Sequence, residues 1–114
     1  MKVLVADITG GNAISMQSGS GLYKLLYDAM SKSESVELDF SGVKHFASPF
    51  FNASIGLLLK DFSVDLLMEK ITINNLPEFG LELVNEVIEN AITYYESNDR
   101  SAKARQEIIS KNTE

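Results

Sequence analysis

The sequence predicts one small α/β domain. Its 114 residues fit a single domain, and 45% of them are hydrophobic, which is enough to build one packed core. Short segments rich in β-branched residues alternate with longer segments whose apolar residues recur at helical spacing. This alternation is typical of a sheet with helices packed on it. We expect a domain over residues 1–96 and a charged extension over residues 97–114 that is helical or disordered.

The N-terminus is predicted to form a β-hairpin. Residues 2–8 are apolar and partly β-branched, which indicates a strand. Gly10 and Gly11 follow and favour a turn, because glycine readily adopts positive φ. Residues 13–16 can then return as the second arm of the hairpin.

A flexible stretch and a helix are predicted next. Residues 17–21 contain two glycines and two serines, so we expect them to be flexible. Ser18 or Ser20 is expected to cap the helix that follows. The helix has one apolar face, formed by Leu22, Leu25, Leu26, Ala29 and Met30.

The middle of the chain predicts a strand over residues 36–40 and a second helix over residues 49–62. The strand alternates apolar and polar residues. Ser48 is expected to be the N-cap of the helix and Pro49 its first residue. The helix is apolar on almost every side, so we expect part of its surface to contact a partner.

The C-terminal part predicts one further strand and the longest helix. Residues 63–69 indicate a short helical turn, residues 70–74 a strand, and Pro77 the start of the helix. The helix has an apolar stripe, formed by Leu81, Val84, Val87, Ile88, Ala91, Ile92 and Tyr95. Its acidic residues are expected to form a solvated face, namely Glu78, Glu82, Glu86 and Glu89.

Composition argues against several classes of function. The net charge is −6, and residues 1–96 contain six of the ten basic residues but thirteen of the sixteen acidic ones. We therefore expect neither nucleic acid nor an anionic membrane as a partner. The chain has no cysteine and no apolar run long enough to span a membrane, so we expect a cytoplasmic protein. The single histidine and the scattered carboxylates lack metal-ligand spacing, and no metal is expected.

Asp39, His45 and Ser48 are the residues from which a small hydrolase could be built. A base in a catalytic triad needs a nucleophile and an orienting acid close to it. No Gly-x-Ser-x-Gly elbow is present, so a loop histidine is the preferred interpretation of His45. The glycine pairs do not match a phosphate-binding loop, because neither a Gly-Lys-Ser/Thr ending nor three spaced glycines occur.

Two strand–loop–helix units carry a family pattern. Residues 36–43 read Val-Glu-Leu-Asp-Phe-Ser-Gly-Val, and an apolar helix opens at Ser48 after a short loop. Residues 71–76 read Ile-Thr-Ile-Asn-Asn-Leu and precede the long helix. This pattern resembles the STAS domain, the fold of sulfate transporters and anti-sigma factor antagonists. The similarity covers residues 36–95 and is closest to divergent STAS-like domains of unknown function.

The resemblance implies a mixed sheet of four or five strands with helices mainly on one face. It also implies a non-enzymatic role without a cofactor. Family antagonists bind a kinase-like anti-sigma partner through the rim around the helix that begins here at Ser48, and phosphorylation of a serine there releases the partner. The usual Asp-Ser-Ser-Gly run is Ala-Ser-Pro-Phe in this chain, so Ser48 is the remaining hydroxyl. The implied residues are a structural Asp39 and a partner-binding rim of Gly42, Lys44, His45, Pro49, Phe50 and Asn52.

These observations lead to three functional hypotheses. The first is a regulatory module that docks on a protein partner, such as a histidine-kinase-type ATPase, with Ser48 as contact or phospho-acceptor. The alternative is a structural module that forms homodimers or larger oligomers, without a phospho-switch. Its support is the apolar second helix, the Tyr94–Tyr95 pair and the C-terminal segment. The third is a hydrolase or nucleotide-binding enzyme, which has the least support because no catalytic motif is present.

Overall fold

The computed structural model describes the backbone of residues 1–103 and the side chains of residues 1–95. Strands and helices alternate along this part of the chain, so the α/β class is confirmed. In chain order the elements are β1 (Lys2–Leu4), α1 (Val5–Thr9), β2 (Asn12–Ala13), α2 (Met16–Ser31), β3 (Val36–Asp39), β4 (His45–Phe46), α3 (Ser48–Phe51), a π turn (Asn52–Gly56), α4 (Val64–Lys70), β5 (Ile71–Asn74) and α5 (Glu78–Lys103).

The strands form two small sheets instead of one larger one. The main sheet has the order β1-β3-β5, and both of its strand pairs are parallel. Strands β2 and β4 make a separate parallel pair of two residues each. The prediction of one mixed sheet with four or five strands is therefore wrong in size and in strand direction. Parallel neighbours need a crossover connection, and here α2 connects β1 to β3 while α3 to α4 connect β3 to β5.

The two faces of the main sheet differ in polarity. Val3, Leu38 and Val36 are buried on the face that meets the helices. The row formed by Lys2, Glu37 and Thr72 lies on the opposite face and is exposed or half-buried. The hydrophobic core therefore lies on one side of the sheet.

The predicted N-terminal hairpin is wrong. Strand β1 ends at Leu4, and residues 5–9 form α1, with Val5 buried, Ile8 half-buried and Asp7 exposed. This spacing fits one helical turn as well as a strand, and burial of Val5 in the core selects the helix. Gly10, at φ 69°, ends the helix and its N–H donates to the Ala6 carbonyl. Strand β2 consequently pairs with β4 and not with β1.

The predicted flexible stretch over residues 17–21 is also wrong, because it forms the first turns of α2. Ser15 is the N-cap and accepts a hydrogen bond from the Ser18 N–H at 3.1 Å. Gly19 is buried, and a Cβ built on it would lie 2.5 Å from the Phe50 carbonyl oxygen and 2.9 Å from the Ala53 Cβ. This glycine therefore permits close approach of α2 to α3 and the π turn, instead of flexibility.

The apolar second helix is buried within the domain. It is helical from Ser48 to Leu58, with α3 continuing directly into the π turn. Phe50, Phe51 and Leu58 have no exposed surface. The Ser54 hydroxyl, also buried, donates to the Phe50 carbonyl at 2.8 Å. These side chains are covered within the chain by α2 and α5. The expectation that a partner contacts part of this helix therefore applies to its exposed residues, which include Pro49 and Asn52.

The C-terminal elements follow the predictions more closely. Ser63 caps α4 by accepting from the Leu66 N–H at 3.1 Å, and β5 lies where residues 70–74 indicate it. In α5, Val84 and Val87 are buried and the four glutamates are exposed, although Leu81 is 42% exposed. Helix α5 continues to Lys103, and residues 104–114 of the predicted extension lie outside the described residues. In the described part of the chain, no helix has both the length and the hydropathy to cross a bilayer.

Candidate functional site

Asp39 lies at the carboxyl end of β3 and ties the following loop to β5. Its Oδ1 accepts hydrogen bonds from the Ser41 N–H and from the Asn75 side-chain amide, both at 2.9 Å. Its Oδ2 lies 3.6 Å from the Lys2 ammonium. The hydrogen bond from Asn75, then those from Ser41, lower the pKa of the Asp39 carboxyl far below its usual value, and the Lys2 charge adds to the shift. The carboxylate is therefore ionised at every ordinary pH.

Asn75, which sequence reasoning did not single out, completes this arrangement. Its φ is 62°, a left-handed conformation that asparagine tolerates better than most residues. The neighbouring Asn74 donates to the Glu37 carboxylate at 2.6 Å. The sequence feature that could have indicated this role is the Asn74-Asn75 pair, which ends a predicted strand two residues before Pro77. Such a pair is typical of a turn with local side-chain hydrogen bonds.

The loop between β3 and β4 has a fixed backbone. The Val43 N–H donates to the Phe40 carbonyl at 3.0 Å, and Gly42 has a φ of 85°, which favours glycine. The N–H groups of Lys44 and His45 both donate to the Gly11 carbonyl, at 2.8 and 3.1 Å. The backbone that carries these two residues is thus held at both ends of the loop.

The loop buries Phe40 and Val43 in the core and exposes the residues at its end. Lys44 and His45 are exposed. The His45 Nδ1 lies 3.0 Å from the Asn12 Oδ1, across the β2–β4 pair. This contact uses Nδ1 and leaves Nε2 for other contacts.

Ser48 is not the N-cap of the second helix. The extended residue is Ala47, with φ −147° and ψ 159°, and the Phe50 N–H donates to its carbonyl at 3.1 Å. Alanine has no side-chain oxygen, so α3 begins without a side-chain cap. Ser48 is the first helical residue and is half-buried, while Pro49 follows it and is exposed.

Of two further residues of the implied rim, one is buried and the other is exposed one helical turn beyond Ser48. Phe50 has no exposed surface, so its side chain cannot contact a partner, because it packs edge to face on Phe51 in the core. Asn52 is exposed, but it lies on the π turn beside α5. There it borders a shallow cavity of about 220 Å³ together with Asn90 and Tyr94.

The structure does not assemble the hydrolase arrangement. Asp39 is hydrogen-bonded to Ser41 and Asn75, and His45 to Asn12. No hydrogen bond in residues 1–95 joins Asp39, His45 and Ser48 to one another. The same residues contain no group of three or more acidic or histidine side chains placed to hold a metal ion.

The domain has a parallel α/β core. Its central strand, β3, is followed by a loop with a fixed backbone and then by helix α3. A family model described as a STAS-like domain of unknown function (DUF4325) matches residues 18–78. The match covers more than half of the chain, and the chain belongs to this family. The resemblance to divergent STAS-like domains is thereby confirmed. The search of curated proteins found no match, and the search of solved structures found none either.

Proposed function

We propose that this chain is a non-enzymatic regulatory module that binds a protein partner through one rim. The rim is defined as Gly42, Lys44, His45, Ser48 and Pro49. The observation that supports it is the fixed backbone of the loop, which presents exposed side chains without needing to be ordered by the partner. A surface that is already ordered loses less conformational entropy on binding. In its finer form, the proposal names a kinase-like ATPase or an anti-sigma-type regulator as the partner, which is what the STAS resemblance implies.

The charge of the rim favours an acidic surface on the partner. Lys44 is exposed and is one of only six basic residues among residues 1–96. Opposite charges across an interface raise the association rate and align the two surfaces. Reversing the charge of Lys44 is therefore expected to weaken binding without changing the fold, because its side chain forms no ion pair among residues 1–95.

Ser48 is the residue through which the rim would be regulated. Its side chain is half-buried at the first turn of α3, two residues from the buried Phe50. A phosphoryl group there would add nearly two negative charges to a rim whose only permanent charge is that of Lys44. Because the Ser48 hydroxyl does not cap α3, phosphorylation of Ser48 would remove no capping hydrogen bond and would cost the fold less stability.

The self-association alternative has lost its main support. It relied on the apolar second helix, the Tyr94–Tyr95 pair and the C-terminal segment. The helix is largely buried in the single chain, since Phe51, Ile55 and Leu58 are at most 1% exposed, whereas Tyr94 is 62% exposed. We therefore do not favour it over partner binding. Sedimentation velocity over a wide range of protein concentrations tests it directly, since a concentration-independent monomer rules it out.

The rim proposal is tested by quantitative affinity enrichment from the source cells with matched variants. Lys44→Glu changes the rim, whereas Lys60→Glu makes the same change in an exposed residue beyond the far end of the helical segment. A specific partner is expected to be lost with Lys44→Glu and retained with Lys60→Glu. If both variants retain every partner of the unmodified chain, the rim is not the contact surface.

A further inference from the structure

A second surface, far from the rim, combines aromatic rings with a carboxylate. We call it the aromatic groove and define it as Tyr23, Tyr27, Asp61, Phe62 and Tyr95. The first two residues lie on α2, the next two in the turn before α4, and the last on α5. The Tyr23 and Tyr27 ring centroids are 5.7 Å apart, and those of Tyr27 and Phe62 are 5.3 Å apart. The rings thus form a continuous aromatic wall from α2 to the turn.

Residues of this wall line two depressions. One of about 490 Å³ is lined by Tyr23, Tyr27 and Asp61, together with Lys24, Asp28 and Ser31. The other, of about 370 Å³, is lined by Phe62, Tyr95 and apolar or short polar neighbours. Each is large enough for one long side chain of a bound peptide.

Asp61 supplies the charge of the groove. It is exposed, and no side chain in residues 1–95 forms an ion pair with it. Burial raises the pKa of Tyr23, and the negative charge of Asp61 raises it further. For Tyr95, burial, then Tyr94 and then Asp61 raise the pKa in the same way. The carboxylate lines the same depression as Tyr23 and Tyr27, and the phenols of Tyr23 and Tyr95 stay neutral at physiological pH because their pKa values are raised.

We propose that the aromatic groove binds the guanidinium group of an arginine side chain from a basic peptide segment of a partner. A guanidinium is planar, so it can stack on a tyrosine face while two of its N–H groups donate to one carboxylate. An ammonium can make the ionic contact but not the stacked, two-point contact. Tyr27 and Asp61 line the same depression and offer the two surfaces that this geometry needs.

The charges around the groove favour a cation. Asp28 and Asp61 line the larger depression and Asp65 the smaller one, against a single lysine, Lys24. Asp28 is partly neutralised by Lys32, whose ammonium lies 3.2 Å away. Asp61 is therefore the carboxylate of the larger depression that forms no ion pair among residues 1–95, and Lys24 is the lining residue that opposes a bound cation.

The groove is independent of the rim. The helical segment from Ser48 to Leu58 separates them, which corresponds to about 15 Å along the helix axis. Arginine binding in the groove therefore does not depend on the proposed function. Lys44→Glu is expected to leave it unchanged.

The test measures binding of a blocked peptide, acetyl-Gly-Arg-Gly-Arg-Gly-amide, to the full chain by tyrosine fluorescence. The chain has no tryptophan, and three of its four tyrosines belong to the groove. The matched control peptides replace both arginines by citrulline, which has nearly the same shape without the charge, or by lysine. We expect the arginine peptide to bind at least fivefold more tightly than the lysine peptide and the citrulline peptide not to bind measurably.

Variants of the chain test whether the arginine peptide binds in the groove. Asp61→Asn is expected to weaken binding at least fivefold, and Lys24→Gln to strengthen it about twofold through removal of one like charge. Asp7→Asn, an exposed carboxylate on α1, is the control and is expected to change nothing. Far-UV circular dichroism verifies that each variant is folded.

Several outcomes overturn the proposal. Equal binding of the arginine and citrulline peptides excludes recognition of the charge, and equal binding of the lysine peptide excludes the stacked guanidinium. Unchanged binding by Asp61→Asn places the site elsewhere. A tyrosine quantum yield that changes with protein concentration in the absence of peptide shows that a second copy of the chain covers the groove instead.

Discussion

Replacing Gly19 with alanine tests the close contact that positions the second helix. In most helix interiors this substitution stabilises a protein, by about 1 kcal/mol, because alanine has the higher helix propensity. Here the new Cβ would lie 2.5 Å from the Phe50 carbonyl oxygen and 2.9 Å from the Ala53 Cβ. Both distances are too short, and the nearer atom belongs to a backbone that cannot rotate away. We therefore expect Gly19→Ala to destabilise the domain.

Gly21→Ala is the matched control, because it lies two residues further along the same helix. Its Cβ would meet only the Ile8 Cγ2, at an ordinary 3.8 Å. The gain in helix propensity is nearly the same at both positions, so the difference between the two variants isolates the packing cost. Overpacking a filled interior costs about 1–3 kcal/mol, which corresponds to a difference in Tm of about 4–12 °C for a domain of this size.

Urea unfolding followed by far-UV circular dichroism measures both variants. We expect Gly21→Ala to have a higher free energy of unfolding than the unmodified chain. We expect the free energy of unfolding of Gly19→Ala to be lower than that of Gly21→Ala by the packing cost. If Gly19→Ala is stabilised as much as Gly21→Ala, α2 does not approach the Phe50 backbone as described. The position of Ser48 and Pro49, which precede Phe50 in α3, would then need revision.

Two further predictions concern the N-termini of α2 and α3 and the hydrogen bonds of the Asp39 carboxylate. Ser15→Ala is expected to lower the free energy of unfolding by about 1 kcal/mol, because it removes the N-cap of α2. Ser48→Ala is expected to change the free energy of unfolding by less than about 0.5 kcal/mol, because Ser48 caps nothing. Equal losses for the two variants in urea unfolding contradict the assignment of Ala47 as the N-cap of α3. Because hydrogen bonds from Asn75 and Ser41 lower the folded-state pKa of Asp39, its contribution to stability is complete above the unfolded-state pKa of about 3.9 and is lost as the pH falls through the folded-state pKa. Acid titration followed by circular dichroism is therefore expected to show a weaker pH dependence below about pH 4 in Asp39→Asn than in the unmodified chain, and identical acid transitions refute this.

The sequence predicted well the elements whose pattern is local and unambiguous. Strand β3 alternates apolar and polar residues, and α5 carries an apolar stripe over several turns, so the bounds of β3 and the start of α5 were found within one residue. The STAS-like pattern around residues 39–43 was equally visible, because it combines a strand end, a turn glycine and an apolar helix. These features depend on neighbours in sequence and not on distant contacts.

The errors arose where a distant contact decides the local structure. Gly19 looks like a flexible residue in the sequence, and only its contact with Phe50 shows that it is a packing position. Residues 5–9 fit a strand or a helix, and the core position of Val5 decides between them. Asn75 could not be linked to Asp39 because 36 residues separate them. The rim was predicted to include Phe50 because the resemblance places residues along the chain but does not give their burial.

The rim proposal is tested most directly by the affinity of the enriched partner, purified, for Ser48→Asp. An aspartate at the start of α3 is tolerated by the helix because negative charge is favourable at a helix N-terminus. Thr93→Asp, on the exposed face of α5, is the matched control for added charge. By isothermal titration calorimetry we expect Ser48→Asp to raise Kd at least tenfold, about 1.4 kcal/mol, and Thr93→Asp to leave it unchanged. An unchanged Kd for Ser48→Asp, in a variant that remains folded, would contradict the assignment of the rim as the binding surface.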